Sequence, residues 1–185
     1  QYAEEVTNLL CALIRFDTTN PPGNETPCAE FLRKRFEEEG IEAEVVESAP
    51  GRGSLLARMR GDGTPSSKSL LLLSHLDVVP VQERSEWSVE PFAGVIQDGY
   101  VWGRGALDCK SLVAMNAMAM FLLKRCGVRL KGELLYAATA DEEVGGSHGA
   151  GFLAQQRPQA LRADYTINEG GGVFLGLDSD KRVFI

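Results

Sequence analysis

Histidine is scarce in this chain, with only His75 and His148 among 185 residues. Any chemistry that needs an imidazole must run through one of those two positions. Cysteine is nearly as sparse: Cys11, Cys28, Cys109 and Cys126 lie far apart with no C-x-x-C pair. That spacing excludes a zinc ribbon and a thioredoxin-type site. Four cysteines in a chain of this length do not make a disulfide framework, so a reducing or mixed compartment, the cytoplasm, is expected. Long apolar runs are absent; stretches such as Leu70–Leu73 fall far short of the roughly 20 residues of a spanning helix. A basic excess is absent too, because 19 Lys and Arg face 26 Asp and Glu for a net charge of −7. The sequence offers no basic stripe to neutralise phosphates and nothing to attract an anionic bilayer, so neither nucleic acid nor membrane is expected as a partner.

What is present suits one domain with a substantial core, at 44% apolar and 24% charged residues. Val6, Leu9, Leu10, Leu13 and Ile14 recur at helical spacing across residues 2–15. Asn20-Pro21-Pro22-Gly23-Asn24 breaks that pattern as an irregular loop, and a second helix opens at Glu25/Thr26 and stops at Gly40. Strands are expected at 42–47, 54–60 and 69–74, the last a continuous apolar run of the kind a sheet covered on both faces requires. Residues 108 to about 126 hold no Pro or Gly and read as a long buried helix capped by Asp108, with Met115, Met118 and Met120 as core. A strand at 132–139, a helix from about Ser147 to Gln156 and strands at 163–168 and 172–176 follow, and 181–185 reads as a further strand beginning. Alternating strands and helices give an α/β sandwich with helices on both sheet faces.

The chemistry sits at the joints of that pattern. Ser-His-Leu-Asp at 74–77, Gly-Arg-Gly-Ala-Leu-Asp at 103–108, Asp-Glu-Glu-Val-Gly-Gly at 141–146 and Asn-Glu-Gly-Gly-Gly at 168–172 each fall where a strand ends or a helix begins. Together they supply one imidazole and several carboxylates, the donors of a catalytic rather than a structural zinc site. His75 should lie at the carboxyl edge of the sheet, with Asp77 placed to orient it, although a lone His-x-Asp is also an ordinary surface pair. Asp108 reads as a helix cap, as a carboxylate bridging two metals, or as both. Three adjacent acids at 141–143 would repel if buried together unless a cation compensates; one of the glutamates would then bind metal and the other hold water. Glu169 is a ligand or a turn residue. His148 reads as a polar loop residue, Cys109 as incidental, and Trp87 and Trp102 as packing anchors.

With these residues in hand, the chain resembles the acetylornithine deacetylase, succinyl-diaminopimelate desuccinylase, aminoacylase and glutamate carboxypeptidase family of two-zinc metallopeptidases. Trp87, Pro91-Phe92 and the Asn-Glu-Gly-Gly-Gly form lean toward its carboxypeptidase S-like branch. The resemblance implies a three-layer αβα zinc-exopeptidase-like domain with a central mixed sheet. It implies that His75 and Glu169 bind one zinc, that Asp108 bridges to a second held by Glu143, that Glu142 is the general base, and that Asp77 clamps His75. Cobalt or manganese would also suit such a site. Ser111 departs from a glycine common at its position. The histidines that family members carry in a lid or dimerisation domain and near the C-terminus have no counterpart, so residues 1–185 are expected to form the N-terminal portion of a catalytic domain. The expected reaction is hydrolysis of an amide or peptide bond in a small N-acyl amino acid or short peptide, by a homodimer when intact and weakly or not at all by this portion. The alternative is a non-catalytic metal-binding or scaffold relative of the same fold.

Overall fold

Two leucine-rich segments build the middle of the sheet. In the computed structural model, which describes residues 2–170, 174–178 and 181–184, they pair in parallel from Leu70↔Leu134 to His75↔Thr139. In chain order the elements are α1 (Tyr2–Ile14), α2 (Thr26–Glu38), β1 (Glu42–Glu47), β2 (Gly53–Met59), β3 (Leu70–His75), β4 (Val95–Gln97), β5 (Tyr100–Trp102), α3 (Lys110–Arg125), β6 (Leu134–Thr139), α4 (Ala150–Gln156), α5 (Pro158–Leu161), β7 (Tyr165–Ile167), β8 (Phe174–Asp178) and β9 (Lys181–Phe184). The main sheet has the order β1-β2-β6-β3-β7. It is mixed: β1, β2 and β6 pair antiparallel, whereas β6, β3 and β7 run parallel. Strands β4 and β5 form a separate hairpin, and β8 and β9 pair antiparallel as another.

Both faces are covered, as the run at 70–73 demanded. Successive side chains of β6 point to opposite faces. Leu134, Tyr136 and Ala138 join Leu13, Leu32, Phe36, Phe121 and other residues of α1, α2 and α3. Leu135 and Ala137 join Leu56, Leu71 and Leu153 under α4 and α5. Phe36 stands between Phe121 and Tyr136, with ring centroids 4.9 and 5.1 Å away. The buried Tyr136 hydroxyl donates to the Val113 carbonyl at 3.1 Å, so that hydroxyl is not left unpaired. Among the described residues no helix is long and apolar enough to cross a membrane.

Several expectations need correction. Helix α3 begins at Lys110 with Cys109 as its N-cap residue, so Asp108 does not cap it; its carboxylate turns instead to His75. Met118 and Met120 are core, but Met115 is 53% exposed because α3 keeps one face in solvent. Trp102 lies partly exposed on the β4–β5 hairpin, its indole donating to the Gln97 carbonyl, and is no packing anchor; Trp87 stacks under the Arg104 guanidinium. The helix expected from Ser147 starts at Ala150, because residues 142–144 form a 3-10 turn and the chain must return past Gly145 and Gly146 first. Residues 171–173, 179–180 and 185, which include parts of the expected strands at 172–176 and 181–185, lie outside the described residues.

Phe36→Ala should cost about 3–5 kcal/mol of unfolding free energy, whereas Met115→Ser should stay within about 0.5 kcal/mol. Urea titration of the two variants checks this, and equal midpoints would contradict the assignment of the core.

Candidate metal centre

Parallel strands end in register, and here that register delivers the chemistry. His75 is the last residue of β3, beside Thr139 at the end of β6, and is 1% exposed. Its backbone is held by a reciprocal pair: the His75 N–H donates to Cys109 Sγ at 3.2 Å and the thiol donates to the His75 carbonyl at 3.4 Å. Its Nδ1 lies 3.0 Å from the Asp77 carbonyl and 3.4 Å from Asp77 Oδ1. The imidazole is therefore fixed from behind, with Nε2 facing out.

Nε2 looks onto carboxylates. Asp108 Oδ1 lies at 3.0 Å, Glu169 Oε1 at 3.1 Å and Glu142 Oε2 at 3.8 Å. Ligand atoms held about 2.1 Å from one tetrahedral zinc would lie about 3.4 Å apart, so the His75, Asp108 and Glu169 atoms need to part only slightly to admit an ion. Donor atoms of His75, Asp108, Cys109 and Glu169 all lie within 4.8 Å of one another. A cavity of about 320 Å³ opens beside them, lined by His75, Glu142, Gly146, Asn168 and Glu169 among others. A larger groove of about 610 Å³ lies between β1, β2 and the start of α5 and contains none of these groups; by its chemistry the smaller cavity is the site.

Asp77 is fully buried and collects donors. Asn20 Nδ2 donates to its Oδ2 at 2.7 Å, and the Glu142 and Glu143 backbone N–H groups donate to Oδ1 and Oδ2 at 3.0 and 3.1 Å. The turn carrying both glutamates is thus tied to the residue behind the imidazole. Asp141 is different from its two acidic neighbours: it is buried, sits at φ +71°, and accepts from Asn20, Arg52, Ser147 and the His148 N–H. Gly149 lets the chain close this loop, since a Cβ there would sit 1.7 Å from the Ala140 carbonyl oxygen.

The electrostatics call for a cation. Burial works against charge on His75, yet the contacts with Asp77, Cys109 and Glu169 push it up to about 12, so the metal-free imidazole is cationic. Burial raises Glu142, with Glu169, Asp77 and Asp108 adding to it; burial and the Asp108 charge raise Glu143. Against its own burial, Asp77 is held below the usual carboxylate range by His75, Asn20 and the two N–H groups. The proton on His75 stands where a dication would do the same work for more carboxylates at once.

The structure brings His75, Asp77, Asp108, Glu142 and Glu169 to one place, as the sequence suggested. Glu143 is held to Asp77 through its backbone but falls outside the close donor group. Cys109, read as incidental, is part of that group, and its adjacency to Asp108 was the available signal. His148 is exposed and faces Ser48 Oγ at 3.3 Å, consistent with a loop residue. Asn20, Arg52 and Asp141 were missed as supporting groups.

A central mixed sheet with a histidine and acids at its carboxyl edge defines the class of αβα metallohydrolase domains. The chain belongs to the peptidase family M20/M25/M40, whose pattern matches residues 71–178. It is 35% identical over 159 residues to aminoacylase-1 of Sus scrofa, covering 85% of this chain and 39% of that protein. It is 32% identical over 143 residues to the N-formyl-4-amino-5-aminomethyl-2-methylpyrimidine deformylase of Halalkalibacterium halodurans, covering 77% of this chain and 34% of that protein. The M20 family metallo-carboxypeptidase Sso-CP2 from Sulfolobus solfataricus superposes with a TM-score of 0.78 at 26% identity, over 91% of this chain and 38% of that one. The chain thus spans between a third and two fifths of the length of these curated relatives.

The sign of the His75 shift fixes a pH dependence. A pKa raised in the folded state adds stability that is complete below the ordinary histidine value of about 6.5 and is lost as pH climbs toward about 12. The metal-free chain should therefore lose stability as pH rises from about 6.5. In ¹⁵N spectra at pH 7 both ring nitrogens of His75 should carry protons until zinc is added, when Nε2 loses its own. A neutral imidazole in the metal-free protein would contradict this.

Proposed function

We propose that this chain carries the metal-binding face of a hydrolase that cleaves the amide or peptide bond of a small N-acyl amino acid or short peptide with the help of two zinc ions. The observation that supports this most is the convergence of Asp108 and Glu169 on His75 Nε2, at 3.0 and 3.1 Å, with Glu142 beside them. The relatives named as a deformylase, an aminoacylase and a carboxypeptidase favour an acyl–nitrogen bond as the target. The whole protein is proposed to act as a homodimer.

In this reading His75, Asp108 and Glu169 would hold one ion, and Asp108 and Glu143 would serve the second. When bound, the zinc pair supplies Lewis acidity, acidifying a water and polarising the scissile carbonyl. The rest falls to the chain. Asp77 keeps Nδ1 protonated and Nε2 free to ligate. Glu142, half-exposed over the cavity, accepts the water proton as attack begins and returns it to the leaving nitrogen. A carboxylate serves both halves of that cycle, as base while ionised and as acid once it holds the proton.

Glu142→Gln in the full-length protein should leave zinc content unchanged and lower kcat on N-acetyl-L-methionine or the best short peptide by about 10²–10⁴-fold. Turnover within twofold of the parent would remove Glu142 from the role.

A further inference from the structure

The loop at Asn20–Gly23 has no part in the proposed chemistry, yet Asn20 reaches two carboxylates behind the site. Its backbone is laid beside the strand end that bears Asp77. Asn20 N–H donates to the Val78 carbonyl at 2.9 Å, and Val78 N–H donates to the Thr18 carbonyl at 3.1 Å. From that position the Asn20 side chain, 2% exposed, donates through one nitrogen to two carboxylates, Asp77 Oδ2 at 2.7 Å and Asp141 Oδ1 at 3.2 Å. Both neighbours only accept, so the amide must present nitrogen to them, and its Oδ1 is left buried without a partner. A buried orphan acceptor is costly. It is tolerated where the donor side of the same group does something no other residue does.

Arg52 acts on the same carboxylate from the other side. Its Nη2 donates to Asp141 Oδ1 at 2.5 Å, its Nη1 to the Pro22 carbonyl at 2.7 Å, and its Nε lies 3.0 Å from Glu25 Oε2. Gly23 makes room for the guanidinium: a Cβ there would sit 2.3 Å from Arg52 Cζ. Asp141 is the residue immediately before Glu142 and is held in the left-handed region, and its other oxygen accepts from Ser147 and His148 across the neck of the loop. Whatever fixes the Asp141 carboxylate therefore fixes where the Glu142–Glu143 turn points.

We propose that Asn20 and Arg52 are positioning residues for the Glu142–Glu143 turn, with Asn20 locking Asp141 to Asp77 and so the turn to the imidazole that Asp77 orients. The proposal rests on the reading of Glu142 as base and Glu143 as ligand of a second ion. Neither residue reaches the donor group itself. Loss of Asn20 leaves His75, Asp108 and Glu169 with their own anchors, including the Cys109 pair behind His75 and the backbone donors of Glu142 and Glu143 to Asp77. It frees the turn to tilt about those two backbone contacts.

The test uses full-length protein, as parent, Asn20→Ala and the milder Ser147→Ala, which removes one contact to Asp141 at a half-exposed site. Cobalt titration followed by visible absorption is the readout that does not need turnover. Asn20→Ala should weaken the second equivalent by about 10-fold or more while the first stays within about twofold, as expected when a support behind one ligand is lost. Ser147→Ala should shift the second equivalent in the same direction by less. On N-acetyl-L-methionine, kcat of Asn20→Ala should fall about 10–100-fold with KM within about twofold. Equal weakening of both equivalents, or no change in either, would overturn the proposal and leave Asn20 a residue of general stability. If the parent binds two cobalt ions in distinct steps but hydrolyses no N-acyl amino acid or dipeptide, the proposed activity falls while the titration still decides this point.

Discussion

A carboxylate with no exposed surface organises this molecule. Asp77 lies at the end of the central parallel strands, and a buried negative charge is tolerated only when its oxygens are fully supplied with donors. The supply comes from three places far apart in the chain: the amide of Asn20, the backbone of Glu142 and Glu143, and the ring of His75. Each donor is held there by its own element. The first is the loop after α1, the second the turn after β6, the third the end of β3. The fold is thus committed to bringing those three segments together, and the metal-seeking atoms come with them.

The same arrangement creates a surplus of negative charge that the protein alone does not neutralise. One imidazole faces Asp108, Glu169 and Glu142, and in the absence of metal a proton on that ring is the nearest cation. Burial and mutual repulsion meanwhile hold Glu142 and Glu143 above their ordinary range. A dication relieves both conditions at once, because it replaces the ring proton and favours the ionised carboxylates. The contrast with Asp141 is instructive. It belongs to the same run of three acids, but Arg52, Asn20, Ser147 and a backbone N–H satisfy it, so it needs no ion.

The sheet and most helices were legible because their signals are local. Apolar runs at 70–73 and 134–138 marked buried strands, and helical periodicity marked α1 and α2. The four donor motifs were legible for the same reason, since each sits at a break in a periodic segment. What escaped was set by distant partners. Of the two readings offered for Asp108, only the helix cap fails, because its carboxylate faces His75, 33 residues earlier. Asn20 reaches Asp77 across 57 residues and Asp141 across 121, and Arg52 reaches Asp141 across 89. No periodicity or propensity carries such a pairing. Met115 failed for a humbler reason: a helix rich in Ala, Met and Leu does not by itself say which of its faces meets solvent.

On the reading proposed above, His75, Asp108 and Glu169 hold a divalent ion within these 185 residues alone. Zinc per chain, measured by elemental analysis after dialysis of residues 1–185 and of the His75→Ala variant, tests it most directly. About one equivalent is expected in the parent, the capacity of a three-ligand site, and background zinc in the variant. Zinc absent from the parent, or retained equally by the variant, would contradict it.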